Sequence, residues 1–148
     1  MVPAEFHHIG AVAIHMRQSD RDEVAASSGK SPFEALEYSL GRSTMAHTVL
    51  FDDVPAGIFG CGDLNLMARK GSPWFLGTDA VDANAASFAR ASVFWRDQLL
   101  QRYDVLANLV DDRNAVSIRW LRWLGFTISE PFPVKRGGLP FRLFELRR

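Results

Sequence analysis

Two hydrophobic periods alternate along the chain, and they predict a mixture of helices and strands. The longest helical pattern runs from about Ala85 to Arg102. Its apolar positions include Phe88, Ala91, Trp95 and Leu99, which recur at intervals of three and four. This spacing places the four side chains on one face of a helix. We therefore predict a long amphipathic helix in this part of the chain.

Short apolar runs predict the strands of a sheet around this helix. Most are bounded by glycine, proline or aspartate, which are typical of turns. The run Pro73–Thr78 is apolar at both its odd and its even positions, as expected of a central strand that is buried on both faces. The predicted strands from His47 onward are His47–Asp52, Gly57–Cys61, Pro73–Thr78, Val105–Val110, Phe126–Ser129 and Phe141–Leu146. Asp53–Ala56 should connect the first two of these as a hairpin.

The first forty residues contain one ambiguous run and two helix starts. Ile9–Met16 alternates loosely around apolar residues, and we predict a first strand there. Ser19–Glu23 then supplies a cap and an acidic first turn for a helix. Ser31–Glu34 is a stronger start signal, because its serine can cap, its proline suits the first helical position and its glutamate can complete a capping box. That helix should stop at Gly41.

The last predicted helix is marked at both ends. Asn114–Phe126 has the pattern of a cap, a short amphipathic helix and a stop at Gly125. The complete predicted order is β-α-α-β-β-β-α-β-α-β-β, with helices after the central strands. This order predicts a single α/β domain over residues 1–148, in which a mixed central sheet has helices on both faces.

The element order and the local sequence resemble the Gcn5-related N-acetyltransferase (GNAT) fold. The most specific match is Asn114-x-x-Ser117 followed by Leu124-Gly125-Phe126, because the fourth helix of many members begins with Asn, carries a small residue three positions on and ends in Gly-Phe. The resemblance implies transfer of an acyl group from acetyl-CoA or another acyl-CoA to an amine, with Asn114 and Ser117 as cofactor contacts. The alternative role for Asn114 is that of a helix cap.

A closer resemblance covers Pro73–Phe126. The segments Trp74–Asp79, Asp111–Asn114 and Ser117–Leu121 are similar to a small group of GNAT-like proteins from short-tailed bacteriophages and prophages, some of which are described as internal virion proteins. This resemblance implies a phage or prophage origin. It also implies a location in the bacterial host cytoplasm or in the virion, with a phage or host protein as partner.

Two positions depart from the catalytic pattern of the family. GNAT enzymes hold the acyl-CoA pyrophosphate on a glycine-containing segment, whereas the equivalent Thr78–Ala86 has no glycine and carries Asp79 and Asp82. Many members also use a tyrosine four residues before the Gly-Phe glycine as general acid, where this chain has Leu121. The departures favour altered or lost acetyl transfer. The alternative function is a non-catalytic binding or structural protein, such as an internal virion component.

A base for the incoming amine would have to come from elsewhere in the chain. Asp63, near the end of the predicted hairpin, and Asp79, after the central strand, are the best-placed carboxylates. Each has an ordinary structural alternative as a capping or solvated side chain. Asp63 and Asp79 are therefore the predicted catalytic residues.

A net charge of zero hides an uneven distribution. Residues 1–112 hold 9 lysines and arginines against 15 acidic residues, whereas residues 113–148 hold 8 against 2. On the last predicted helix, Arg119 and Arg122 are three positions apart and share a face. They could bind phosphate or an acidic partner, or form a solvated helix face. Nucleic acid is not the expected partner.

The remaining composition limits the class of protein. A single cysteine, Cys61, excludes an internal disulfide and is compatible with a reducing cytoplasm. The apolar runs are too short to span a bilayer, and no signal segment opens the chain. The four histidines lack the spacing of metal ligands, so no metal site is expected. The sequence leaves the oligomeric state open.

Overall fold

An eight-stranded mixed sheet forms the centre of the protein, and six helices cover it on both faces. The structure is a computed structural model that describes all residues from Met1 to Arg148. The strands are β1 (Val2–Pro3), β2 (Met45–Phe51), β3 (Val54–Asn65), β4 (Lys70–Gly77), β5 (Val105–Asp111), β6 (Thr127–Ile128), β7 (Phe132–Pro133) and β8 (Pro140–Arg147). The helices are α1 (Phe6–Ile14), α2 (Gln18–Ser28), α3 (Pro32–Gly41), α4 (Ala80–Ala83), α5 (Ala85–Arg102) and α6 (Ala115–Trp123). None of the helices combines the length and the apolar character needed to span a lipid bilayer.

The strands lie in the order β1-β2-β3-β4-β5-β8-β6, and the short β7 also pairs with β8. All paired strands are antiparallel except β4 and β5, which run parallel. Parallel neighbours need a crossover connection, and here α4 and α5 provide it. The one parallel pair therefore lies in the middle of the sheet, between two antiparallel halves.

Two apolar cores fill the space between the sheet and the helices. On one face, α1, α2 and α3 pack over β3 and β4 around Ile9, Leu36 and Ile58. On the other face, α5 and α6 pack around Phe59 and Leu99. Ile58 and Phe59 belong to different cores because successive side chains of a strand point to opposite faces. The predicted α/β domain with helices on both faces of a mixed sheet is confirmed.

The predicted strand at Ile9–Met16 is wrong, because most of this segment forms α1. Its buried side chains are Ile9, Val12, Ala13 and Met16. They recur at intervals of three, one and three residues, which is the pattern of one helix face. The alternation seen in the sequence depended on Ile14, whose side chain is 71% exposed.

Other local signals are confirmed with small shifts. Ser31 caps α3 and completes a capping box with Glu34. The hairpin between β2 and β3 turns at Asp52 and Asp53, which both have positive φ angles. The turn is tighter than predicted, because β3 already begins at Val54. Two positive φ angles are typical of the two-residue turns that match the twist of a hairpin.

The last helix has the predicted ends. The Oδ1 atom of Asn114 accepts a hydrogen bond from the N–H of Ser117 at 3.2 Å and thereby caps α6. Gly125 follows the helix with a φ of 103°, a backbone conformation that side chains disfavour. The local sequence therefore sets both the start and the stop of this helix.

Candidate functional site

The parallel strands β4 and β5 pair for only two residues and then separate. Their pairing joins Lys70–Gly71 to Val105–Leu106. Just beyond, Asn108 Nδ2 donates to the carbonyl oxygen of Pro73 at 2.8 Å, and Asn108 Oδ1 accepts from the N–H of Leu109 at 2.8 Å. The amide thus satisfies backbone groups at the point where the ladder ends. An opening results that widens toward the carboxyl ends of both strands.

Two carboxylates of α2 bridge the wide end of this opening. Asp20 Oδ2 accepts a hydrogen bond from the N–H of Gly77, at the end of β4, at 2.9 Å. Glu23 Oε1 accepts one from the N–H of Asp111, at the end of β5, at 2.8 Å. Asp20 and Glu23 are three positions apart, so one face of α2 presents both. Side-chain hydrogen bonds therefore replace the sheet ladder between the separated strand ends.

A cavity of about 350 Å³ occupies the opening and reaches both faces of the sheet. Its lining includes Glu23 and Tyr38 on one face and Trp95, Ser117 and Trp120 on the other. Most of the lining residues are apolar, and the only carboxylates among them belong to Asp20 and Glu23. An apolar cavity with a few placed polar groups is the usual form of a small-molecule site.

Asp20 is held in a nearly buried ion pair. Its carboxylate accepts hydrogen bonds from the Arg17 guanidinium at 3.0 to 3.2 Å. Only 11% of the Arg17 side chain and 3% of the Asp20 side chain are exposed. Burial raises the pKa of Asp20, while the charge of Arg17 and the hydrogen bond from Gly77 act against that rise. Asp20 is fully engaged by these partners and serves to position the strand end.

Glu23 has a carboxyl group suited to proton transfer. Burial raises the pKa of Glu23 to about 7, and the charges of Asp20 and Asp111 add to the rise. The hydrogen bond from the N–H of Asp111 and the side-chain amide of Asn114 oppose it. A carboxyl group with a pKa near neutrality can exist in both forms at the working pH, as a general base requires.

Asn114 lies beside Glu23 with one weakly bonded donor. Its Oδ1 atom caps α6, whereas Nδ2 is buried, faces the Glu23 carboxylate and makes no hydrogen bond of ordinary geometry there. The residue is only 6% exposed. A buried donor without an ordinary hydrogen bond is rare enough to need an explanation, and a ligand would supply one. Glu23 and Ser117 line the cavity, and Asn114 lies behind them, in contact with both but outside the lining.

The two aspartates predicted as catalytic lie outside the opening. Asp63 pairs with Gly71, where β4 and β5 are still joined, and its Oδ1 accepts a hydrogen bond of 2.6 Å from the Tyr103 hydroxyl. Asp79 is exposed between β4 and α4, where its backbone carbonyl accepts the N–H of Asp82. Neither Asp63 nor Asp79 lines the cavity. Their positions give no support to the predicted catalytic roles.

The segment expected to hold a pyrophosphate is coiled into the single turn of α4. The N–H groups of residues 81–84 all donate to carbonyl oxygens of residues 78–81. The Asp82 carboxylate lies 4.0 Å from the Arg17 guanidinium and is largely exposed. Backbone donors that are already bonded are not available to a diphosphate, and the carboxylates of this segment would repel one.

Leu121 stands where the family resemblance implies a catalytic tyrosine. It is 5% exposed and belongs to the core beneath α6. Its neighbour Trp120 stacks on Phe88 with ring centroids 5.5 Å apart and lines the cavity. Tyr38 of α3 is the only tyrosine in the cavity lining. The inner face of α6 therefore offers aromatic surface and no proton donor at position 121.

Sequence reasoning missed Asp20, Glu23 and Asn108. The two acidic residues have helical spacing, but in the sequence they look like the acidic first turn of a helix. Asn108 is the one amide side chain in an otherwise apolar strand, so it stands out in the sequence. The sequence does not show which groups it hydrogen-bonds. Only the separation of β4 and β5 shows which backbone groups these side chains must satisfy.

Known structures share this architecture. The chain is similar to the GNAT-family acetyltransferase from Bacillus anthracis, with a TM-score of 0.71 and 10% identity over 99% of this chain and 92% of that one. It is also similar to a GCN5-related N-acetyltransferase from Kribbella flavida, with a TM-score of 0.69 and 15% identity over 99% and 95%. The fold is a GNAT fold. A third match, yncA from Salmonella typhimurium, was solved with its cofactor acetyl-CoA and has a TM-score of 0.68 and 16% identity over 98% of this chain and 91% of that one.

At these identities the similarity shows the GNAT fold alone. No protein-family model matches the chain, and no curated protein matches its sequence. A shared fold does not fix a reaction, because unrelated activities are built on the same scaffold. The chemistry therefore has to be argued from the opening between β4 and β5 and from the side chains around it.

Proposed function

We propose that the protein transfers an acyl group from a pantetheine thioester, such as that of acetyl-CoA, to a primary amine. The proposal is carried by Glu23, a carboxyl group with a pKa of about 7 at the wide end of a cavity between two separated strands. Acyl transfer to nitrogen needs a base of this kind, because an ammonium ion has no lone pair with which to attack a carbonyl carbon. The GNAT fold supports the same class of reaction.

The side chains around the cavity have distinct roles in this proposal. Asn108 closes the narrow end, so an extended arm can lie between β4 and β5 with its reactive end toward Glu23. Ser117 offers a hydroxyl for the polar groups of the arm, and Asn114 a weakly bonded N–H that lies behind Glu23. Glu23 accepts the proton of the amine as the C–N bond forms and the C–S bond breaks. The departing thiolate takes its proton from water, because Leu121 has none to donate.

The two ends of acetyl-CoA fit this site unequally. The pantetheine arm matches an opening lined by Glu23 and Ser117, behind which lies the buried and weakly bonded donor Asn114 Nδ2. The diphosphate meets α4, where the backbone donors are bonded and the carboxylates of Asp79 and Asp82 add negative charge. The residues present therefore favour recognition of the arm over recognition of the nucleotide.

Turnover of small thioesters tests the proposed reaction. We expect S-acetyl-pantetheine and acetyl-CoA to bind in calorimetry and to release free thiol when primary amines are added. Thiol release should be measured colorimetrically across a panel of amines that includes polyamines and amino acids. The rate should rise with pH through about 7, where Glu23 loses its proton. Absence of heat, thermal shift and thiol release at millimolar donor would overturn the proposal.

The variant Asn114→Asp separates the ligand role of this residue from its role as a cap. Aspartate keeps the oxygen that caps α6 but lacks the N–H donor. We expect donor affinity to fall by about tenfold, which is the loss of one hydrogen bond to a ligand. The negative charge beside Glu23 should also shift the pH–rate profile to higher pH. Titration calorimetry and urea unfolding measure these effects.

The matched control is Asn65→Asp, which makes the same chemical change at a surface turn. Asn65 Oδ1 accepts the N–H of Ala68, so aspartate preserves that contact as well. This variant should keep wild-type affinity and wild-type pH dependence. If Asn114→Asp behaves like the control, the Asn114 amide has a structural role only.

The resemblance of Pro73–Phe126 to phage GNAT-like proteins supports a phage or prophage origin, with the cytoplasm of a bacterial host as the place of action. The competing hypothesis is a non-catalytic component of the virion. Leu121 and the carboxylates of α4 favour that alternative, since both depart from the catalytic pattern. Mass spectrometry of purified virions distinguishes the locations, and the thioester assay distinguishes the activities.

A further inference from the structure

The outer face of α6 is exposed and combines basic with apolar side chains. We call it the α6 outer face and define it as Val116, Arg119, Arg122 and Trp123. Val116 and Trp123 are 55% and 59% exposed. The two arginines are exposed as well and form no salt bridge, whereas Arg113 is paired with a buried aspartate. Tryptophan and arginine side chains together are enriched in protein-binding surfaces.

This face adjoins the cavity through the thickness of one helix. Ser117 and Trp120, on the inner side of α6, line the cavity. Trp120 Nε1 donates to Ser92 Oγ of α5 at 3.1 Å, and Arg96 of α5 donates to the carbonyl oxygen of Leu124 at 2.8 Å. The helices α5 and α6 therefore form one continuous wall.

The backbone beside this wall suits one phosphate better than several. The N–H groups of residues 81–84 are bonded within their own turn. The start of α5 has no side-chain cap and no acidic residue in its first turn, so its first backbone N–H groups are available to donate to one anion. The carboxylates of Asp79 and Asp82, immediately before α5, repel each further negative charge of a ligand. CoA carries a diphosphate and a third phosphate, and therefore more negative charge than one phosphodiester.

We propose that the acyl donor is presented by an acidic carrier protein, on a pantetheine arm attached through a single phosphodiester, and that the α6 outer face docks this carrier. The inference rests on the acyl transfer proposed above and names the donor for that reaction. Arg119 and Arg122 complement acidic side chains of the carrier, and Val116 and Trp123 supply apolar contact. Arg119 and Arg122, two of the basic residues concentrated after residue 112, then have a function in binding the donor.

Three acetyl donors with the same thioester separate the contributions. The donors are S-acetyl-pantetheine, acetyl-CoA and a bacterial acyl carrier protein loaded with an acetyl-phosphopantetheine arm. We expect kcat/KM for the loaded carrier protein to exceed that for acetyl-CoA by about tenfold or more, chiefly through KM. Acetyl-CoA should be no better than S-acetyl-pantetheine, because its phosphates find no favourable site.

Charge reversal then tests the docking face. The double variant Arg119→Glu/Arg122→Glu should lower kcat/KM for the loaded carrier protein by at least about tenfold and leave S-acetyl-pantetheine unaffected. Its matched control is Arg147→Glu/Arg148→Glu, an equal change of charge at the closed end of the sheet, where Arg147 pairs with Val105. The control should retain full activity with all three donors.

The outcomes distinguish this inference from the reaction on which it rests. Efficient use of S-acetyl-pantetheine together with acetyl-CoA equal to or better than the carrier protein overturns the carrier and leaves acyl transfer intact. Equal losses in the two double variants overturn the α6 outer face as the docking surface. Failure of all three donors overturns acyl transfer and the carrier together.

Discussion

Glu23→Gln should abolish most of the acyl transfer and yet make the protein more stable at pH 8. Glutamine keeps an oxygen that can accept the N–H of Asp111, so the bridge from α2 to β5 is preserved. It cannot accept a proton from an amine, and loss of a general base lowers rates by about 10²- to 10⁴-fold. Activity and stability therefore change in opposite directions.

The gain in stability follows from the sign of the pKa shift. The carboxyl of Glu23 ionises with an ordinary pKa of 4.5 in the unfolded chain and with a pKa of about 7 in the folded protein. Between these values the unfolded chain is stabilised by ionisation while the folded protein is not, so stability is lost as pH rises from 4.5 to 7. Above pH 7 the accumulated cost is constant, on the order of 3 kcal/mol.

Urea unfolding at pH 4 and pH 8 measures this effect, and kcat/KM across the same range measures the catalytic one. Wild type and Glu23→Gln should have similar stability at pH 4 and differ at pH 8. The control Glu37→Gln alters an exposed glutamate of α3 and should change neither property. A variant that retains activity, or that is less stable at pH 8 than at pH 4 relative to wild type, would show that Glu23 is not the base.

Gly60→Ala is expected to have the largest effect on stability. A Cβ atom at this position would lie 2.2 Å from the indole ring of Trp74, on the neighbouring strand β4. The indole is also fixed by a hydrogen bond of 2.8 Å from its Nε1 to Ser43 Oγ, so it cannot move without losing a partner. Overpacking of this kind costs about 1–3 kcal/mol, and displacement of Trp74 would also deform the cavity wall.

A double-mutant cycle with Trp74→Ala isolates the cause. If the clash with Trp74 is responsible, Gly60→Ala should cost little in the Trp74→Ala background, and the two effects should be strongly non-additive. Gly10→Ala is the control, because a Cβ at Gly10 meets nothing within 4 Å and alanine favours the helix α1. Urea unfolding of the four proteins decides the matter, and additive losses would contradict the steric explanation.

Local signals predicted the elements whose structure is decided locally. The capping box at Ser31–Glu34, the apolar stripe of α5 and the ends of α6 are properties of a few neighbouring residues, and all are found in the structure. The strand predicted at Ile9–Met16 is wrong because a run of small and apolar residues is compatible with both the helical and the strand period. Contact of Ile9 with the core beneath α3 then selects the helix.

The candidate site was only partly visible in the sequence, for a different physical reason. Asn114 and Ser117 could be found because they lie on a helix with a recognisable start. Glu23 acquires its raised pKa from burial against the end of β5, 88 positions along the chain. Asp63 and Asp79 looked suitable by proximity to strand ends, yet Asp63 lies where β4 and β5 are still joined, and Asp79, after the open end of β4, is exposed outside the cavity. The point at which two paired strands separate depends on contacts between residues far apart in the chain, so no local sequence pattern marks it.

The bridge made by α2 gives the reactive carboxyl group a second consequence. The halves of the sheet share two residue pairs at one end, and at the other they are joined through Asp20 and Glu23. A protonated carboxyl accepts a hydrogen bond less strongly than a carboxylate. Each proton that Glu23 takes from an amine therefore loosens the hold of α2 on β5. Protonation of Glu23 and the separation of the two half-sheets are thus linked. Turnover itself would weaken the α2 bridge at the open end of the cavity that holds the product.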